Sequence, residues 1–210
     1  MIKRWKIKES APAEIAERLT KEVKVNPVVA NLLYQRGIST YDEAKLFFRP
    51  QLEHLHDPFL MKDMDKAITR IEKAISSQEK ILVYGDYDVD GTTSVALVYS
   101  FLKTIYGNLD YYIPDRYKEG YGISTAGIDF ARENNFSLII ALDCGIKAID
   151  KIAYANEKGI DFIICDHHLP HGELPAAVAV LDPKRLDCGY PYKELSGCGI
   201  AFKLAHALVK

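Results

Sequence analysis

From residue 81 onward the chain alternates short β-rich apolar runs with longer stretches of helical periodicity, and that alternation leaves few folds open. The runs are Ile81 to Tyr84, Leu109 to Ile113, Leu138 to Leu142, Asp161 to Cys165 and Ala177 to Leu181. Helices are expected at about 92–106, 124–134, 146–158 and 199–209, with Gly159 placed to close the third. Apolar strands separated by helices specify a parallel sheet with crossover helices on its faces. The expected fold is α/β: a Rossmann-like, mostly parallel five-stranded sheet flanked by helices. With 48% hydrophobic residues in 210, the chain has enough apolar side chains to fill such a core.

The part before the sheet reads as a helical N-terminal region over residues 1–60, with the α/β domain taking 61–210. Pro12 and Pro27 are suited to open helices and Gly37 to stop one. Thr40 with Glu43 three residues on forms a capping box for a third. Met64, Ala67, Ile68, Ile71, Ala74 and Ile75 follow helical spacing, so a helix here is expected to lie on the sheet.

Chemistry concentrates at the ends of the strands. After the first run come Gly85-Asp86-Tyr87-Asp88-Val89-Asp90-Gly91, three carboxylates in five residues. Like charges this close repel unless a cation or strong donors compensate, which points to a metal site. An acidic surface turn accounts for many such clusters too. A calcium loop of the EF-hand type fits Asp86, Asp88, Asp90 and Gly91 but fails at its twelfth position, which is Leu97. The third run is followed by Asp143-Cys144-Gly145, the fourth by Asp166-His167-His168 and the fifth by Asp182. In a parallel sheet these positions share one edge, where open α/β folds bind ligands. Carboxylates with an imidazole suit manganese or magnesium better than zinc. A zinc site built on Cys165, His167 and His171 lacks paired cysteines, and disulfides are not expected of the four cysteines. Asp110, near the start of its run, is read as a solvated charge.

These residues resemble the DHH phosphoesterase family, named for the triplet seen here as Asp166-His167-His168. The resemblance covers essentially the whole chain. It rests on Tyr84 to Gly91, Leu142 to Gly145, the triplet, and the tail Tyr190 to Lys203 with its Leu195-Ser196-Gly197-Cys198-Gly199 segment. More narrowly, the chain is similar to the branch of that family that degrades single-stranded DNA from 5′ to 3′ in repair and recombination. The resemblance implies a catalytic set of Asp88, Asp90, Asp143, His167 and His168 and two Mn2+ or Mg2+ ions. Asp88 would hold one ion, Asp90 and His167 the other, and Asp143 both. Asp86 would be a further ligand or a hydrogen-bond acceptor behind the ligands, Asp166 would orient His167 or a neighbouring loop, and His168 would face the substrate phosphate.

For single-stranded DNA, Arg116 with Gly120-Tyr121-Gly122 offers phosphate contact and base stacking, although a plain loop with a solvated arginine accounts for the same residues. Lys184 and Arg185 are placed to meet phosphates, as exposed basic loop residues often are. The near balance of 27 basic and 29 acidic residues neither advertises nor excludes a nucleic-acid partner. No apolar run reaches membrane-spanning length, so a cytoplasmic protein is expected. The family also implies another metal-binding Asp and a nucleic-acid-binding domain beyond this stretch, so the chain is expected to be a piece of a longer one with a weakened second ion site. Asp182 stands where the family's Asn is expected and is given no role. Two rivals remain: a DHH hydrolase of cyclic dinucleotides, short oligonucleotides or pyrophosphate, and a non-catalytic binding module. Oligomeric state is not legible.

Overall fold

Three short helices form where the sequence supplies their ends. α1 (Ala13–Val23) starts behind Pro12, at the cap position. α2 (Pro27–Tyr34) has Pro27 as its first residue and Asn26 as its cap, which accepts the Val29 amide at 3.0 Å. α3 (Tyr41–Phe48) opens on the expected capping box of Thr40 and Glu43. Leu19, Ala30, Leu33 and Ala44 make a small core among them. The computed structural model describes residues 4–210 and divides after Leu55 into this unit and a second one from His56 to Lys210. The boundary precedes the expected residue 60 because the 3-10 turn Pro58–Leu60 packs within the second unit.

In the second unit, α4 (Met64–Ser76) leads into β1 (Lys80–Gly85), and α5 (Val89–Ile105) into β2 (Leu109–Tyr112). Then follow α6 (Thr125–Glu133), β3 (Phe136–Leu142), α7 (Ile149–Glu157), β4 (Asp161–Cys165), β5 (Ala179–Leu181) and α8 (Gly197–Leu208). All four strand pairings are parallel, in the order β2-β1-β3-β4-β5. Alternate strand residues serve two cores. Ile81, Val83, Leu138, Ile140 and Ile163 pack with α4, α5 and α8, whereas Leu82, Tyr84, Ile139, Ala141 and Phe162 pack with α6 and α7. Burial of both faces explains why the strands read as continuous apolar runs.

Two features of the sheet place the site. Strand order reverses between β1 and β3, so the crevice for a ligand opens at their carboxyl ends. The last residues of four strands are also in register: Gly85 pairs with Leu142, Leu142 with Cys165, and Cys165 with Leu181. The next residue of each is an aspartate, so Asp86, Asp143, Asp166 and Asp182 follow one another along a single edge. All four are buried.

Helix starts differ from expectation at two functional points. α5 begins at Val89, three residues early, because Asp88 caps it by accepting the Gly91 amide at 2.9 Å. α8 begins at Gly197 behind Ser196, whose hydroxyl accepts the Gly199 amide at 3.1 Å. All four cysteines are free, and no helix among the described residues is long and apolar enough to cross a membrane.

Candidate metal centre

The centre is built around Asp143. Its backbone sits in the left-handed region at φ 61°, which Asp tolerates better than most residues, and its amide donates to the Cys165 carbonyl at 2.8 Å. The side chain is buried, with Oδ1 at 3.2 Å from His167 Nε2 but in no aligned hydrogen bond. Burial, reinforced by the negative charges of Asp90, Asp88 and Asp166, pushes this carboxyl up to about 7. His167 Nε2 also stands 3.7 Å from Asp90 Oδ2, so one imidazole nitrogen bridges the space between two carboxylates.

Asp90 is fixed from the far end of the chain. Its Oδ2 accepts the Gly197 amide at 2.8 Å and its Oδ1 the Cys198 amide at 2.7 Å, which uses the first amides of α8 to hold a carboxylate. Sequence reasoning assigned these two residues no role. The available signal was the run of small residues at a capped helix start, Ser196-Gly197-Cys198-Gly199. Gly197 also lies against Asp143, and a β-carbon there would stand 2.6 Å from the Asp143 Cγ.

The other aspartates play different parts. Asp88 is exposed at the α5 cap, with one oxygen on the Gly91 amide. Asp86 is fully buried and neither of its oxygens meets an aligned donor. Burial raises its carboxyl above the ordinary range, with the Tyr87 and Gly122 amides opposing the shift. Asp166 is the most fully bonded. It accepts from the amides of Ile146 at 2.9 Å, His167 at 2.7 Å and His168 at 3.2 Å, and bonds the His168 ring Nδ1 at 2.7 Å. Burial works to raise the Asp166 carboxyl, but the bond from His168 and these amides outweigh it and hold the group below its usual range. The ring that Asp166 bonds is that of His168, and its bond to the Ile146 amide ties it to the loop after β3, where the expectation was His167 or a neighbouring loop. The bond between Asp166 and the His168 ring raises the His168 pKa.

Around His168 lies a strip of aromatic side chains. The Tyr121 hydroxyl is 3.2 Å from His168 Nε2, Tyr121 meets Tyr87 edge-on with centroids 6.4 Å apart, and the Arg116 guanidinium lies 5.2 Å from the Tyr87 ring centre. Gly122 adopts φ 80° and its carbonyl accepts the buried Tyr84 hydroxyl at 2.8 Å. The expectation for Arg185 is corrected. Its buried guanidinium bonds Asp63 at 2.6 Å, Asp187 at 2.9 and 2.8 Å, and the Val180 carbonyl, leaving it unavailable to a phosphate. Lys184 is half-buried and pairs with Glu194 at 3.3 Å.

Donor chemistry decides what such a centre accepts. Oxygen atoms of Asp143 and Asp86 are buried without an aligned donor, an arrangement that is costly in the absence of positive charge. One ligating atom each from Asp143, His167 and His168 falls within 4.8 Å of the others. Carboxylate oxygens with an imidazole fit a hard divalent ion such as Mn2+ or Mg2+. Cys165, by contrast, is sealed in the sheet, where burial holds its thiol protonated.

The sequence pattern of the DHH family, N-terminal domain, matches residues 80–210, which include every residue of this centre. The chain belongs to the DHH family. It is 46% identical over 206 residues to the single-stranded-DNA-specific exonuclease RecJ of Bacillus subtilis, covering 98% of this chain and 26% of that protein. It is 36% identical over 187 residues to the RecJ of Haemophilus influenzae, covering 89% of this chain and 32% of that protein. Among solved DHH structures, RecJ of Thermus thermophilus in complex with Mn2+ matches with a TM-score of 0.75 at 26% identity, covering 98% of this chain and 28% of that one. The chain therefore spans only about a quarter to a third of the length of these relatives.

Proposed function

We propose that this DHH chain carries the metal-dependent phosphodiesterase core of a RecJ-like exonuclease that degrades single-stranded DNA from 5′ to 3′, in DNA repair and recombination. The observation that carries the reading is the buried Asp143 carboxylate, short of a donor and drawn up beside His167 and Asp90 at the switch point of the sheet. Relatives named single-stranded-DNA-specific exonuclease support the substrate, and a relative solved with Mn2+ supports the cofactor. A cytoplasmic setting belongs to the same proposal.

In this reading Asp88, Asp90, Asp143 and His167 would hold the divalent ions, with Asp86 as a further ligand or as a charge behind them. Bound ions of this kind supply Lewis acidity, activating a water and neutralising charge on the leaving oxygen. The chain's own residues supply position and charge. The first turn of α8 fixes Asp90. Asp166 locks the His168 ring and favours its protonated form, which suits an anionic phosphate. Arg116, Tyr121 and Gly122 line the approach of the strand, the first for its phosphates and the aromatic for its bases. Lys184 stands by as a further phosphate contact.

The test is digestion of a labelled oligonucleotide by the longer protein that contains this chain. Single strands should be degraded with Mn2+ or Mg2+ and duplexes spared, and Asp143→Ala should lower the rate by at least about a thousandfold. Full activity in that variant would overturn the assignment. Faster hydrolysis of a dinucleotide than of a long strand would move it to the small-substrate hydrolases.

A further inference from the structure

Away from the metal centre, the first unit carries a cavity of its own, of about 310 Å3. Val23 and Val25 at the end of α1 and the fully buried Ala44 give it an apolar lining. The remaining walls come from one face of α3, where Tyr41, Lys45, Phe48 and Arg49 follow one another at i, i+4, i+7 and i+8. Rings and cations thus share that face. Both rings are about half-exposed, and Phe47 meets Phe48 edge-on with centroids 5.2 Å apart. Aromatic side chains grouped at the surface in this way mark a contact site. Lys45 and Arg49 are exposed, and among the described residues neither belongs to an ion pair.

Charge and backbone together decide the class of occupant. The first 55 residues hold 10 basic and 7 acidic side chains, against 17 and 22 in the rest of the chain, so the positive excess resides in the first unit. An anionic partner is therefore favoured there. A peptide would need main-chain pairing with a strand, or a groove long enough for several anchors of a helix. The described residues of this unit form helices and no strand, and the cavity has room for one ring and its attachments. The Glu43 amide at the start of α3, which could have held a peptide carboxylate, is already bonded to Thr40. A base against an aromatic side chain, with its phosphates on neighbouring cations, meets every feature of this face without a base-specific partner.

We infer that the α3 face of the first unit is a binding site for single-stranded nucleic acid, separate from the metal centre. A base enters the cavity against Tyr41 and Phe48, and the flanking phosphates meet Lys45 and Arg49. The site needs no metal ion, and it stands or falls independently of the nucleolytic reading.

The test is binding of a fluorescein-labelled oligothymidylate of about 12 nucleotides to the chain in EDTA, followed by fluorescence anisotropy. Phe48→Ala should weaken binding about fivefold or more, the loss of one base stacked on a ring. The double variant Lys45→Ala with Arg49→Ala should weaken it at low salt and lower the slope of log affinity against log salt by about 1.4. The strand should shift the amides of Val25, Ala44 and Phe48 in the NMR spectrum, which also verifies that each variant folds. Phe48→Leu, which keeps apolar bulk and loses the ring, serves if alanine disrupts α3. Absence of binding, or binding that these variants leave unchanged, would overturn the inference. So would an acidic peptide carrying one phenylalanine that displaces the strand from the same amides at lower concentration, which would give the cavity to a protein partner. Dimerisation of the chain in sedimentation, abolished by Phe48→Ala, would overturn it in favour of a second copy.

Discussion

Gly197 lies directly against Asp143, so close that a β-carbon at 197 would overlap the carboxyl group at the heart of the centre. The contact joins the first turn of α8 to the end of β3, and the same turn donates two amides to Asp90. Gly197→Ala must therefore displace Asp143 or tilt α8 away from Asp90. We expect Mn2+ affinity, read from the free-ion signal in electron paramagnetic resonance, to fall about 10- to 100-fold. The metal-free melting temperature should fall as well, because relieving the overlap in a packed site costs about 1 to 3 kcal/mol. Unchanged Mn2+ affinity would show that the centre tolerates movement of α8.

Arg185 should matter to stability and not to metal. Its guanidinium joins Asp63, Asp187 and the Val180 carbonyl inside the second unit. Arg185→Ala leaves the buried Asp63 carboxylate with the largely exposed Lys66 alone, 2.7 Å away, and the expected loss is about 3 kcal/mol of unfolding free energy in urea. Mn2+ affinity of the folded fraction should be unchanged. Lys184→Ala next to it removes only a partly exposed ion pair and should cost about 1 kcal/mol or less.

Much of the fold was legible because it depends on local pattern. Each of the five strands overlaps one of the five apolar runs, with β1 and β3 reaching one or two residues beyond theirs, Gly159 closes α7 with φ 73°, and the Thr40 and Glu43 box opens α3 where the spacing requires. Asp110, read as a solvated charge, is exposed. The strand ends were legible as a group, since one sheet edge collects all of them. What was not legible depends on strand order and side-chain direction. Nothing in the linear sequence puts β3 beside β1, or brings Gly197 and Cys198 to Asp90 more than a hundred residues away. Lys184 and Arg185 are adjacent and chemically alike in sequence, yet one is half-buried beside Glu194 and the other is a buried strut. Only the packing of Asp63 and Asp187 separates them.

Tyr84 should govern the order of the loop at Gly122. Its buried hydroxyl donates to the Gly122 carbonyl and accepts the Ser124 amide at 3.1 Å. Tyr84→Phe leaves both backbone groups without that partner, at an expected cost of about 1 to 3 kcal/mol. Amide hydrogen exchange at Ser124 should accelerate while exchange in β3 and β4 keeps pace only with global stability. A protected Ser124 amide in the variant would show that the loop is held by other contacts.

Asp182 gives the chain a distinct pH response. It is fully buried after β5, its Oδ1 accepts the Lys184 amide at 2.7 Å, and its Oδ2 has no donor. Burial pushes the carboxyl up to about 6, against an ordinary value of 3.8. The folded state therefore binds more protons at this residue than the unfolded state between those two values. Stability contributed by Asp182 is present below the unfolded pKa and is lost as pH rises through about 6. Asp182→Asn keeps an oxygen for the Lys184 amide and removes the charge. The variant should be more stable than the parent at pH 8 by about 1 to 3 kcal/mol and indistinguishable from it near pH 4. Urea unfolding of the metal-free chain at both pH values measures the difference. An equal gain at pH 4 and pH 8 would mean that the substitution acts through packing, with no part played by the buried charge.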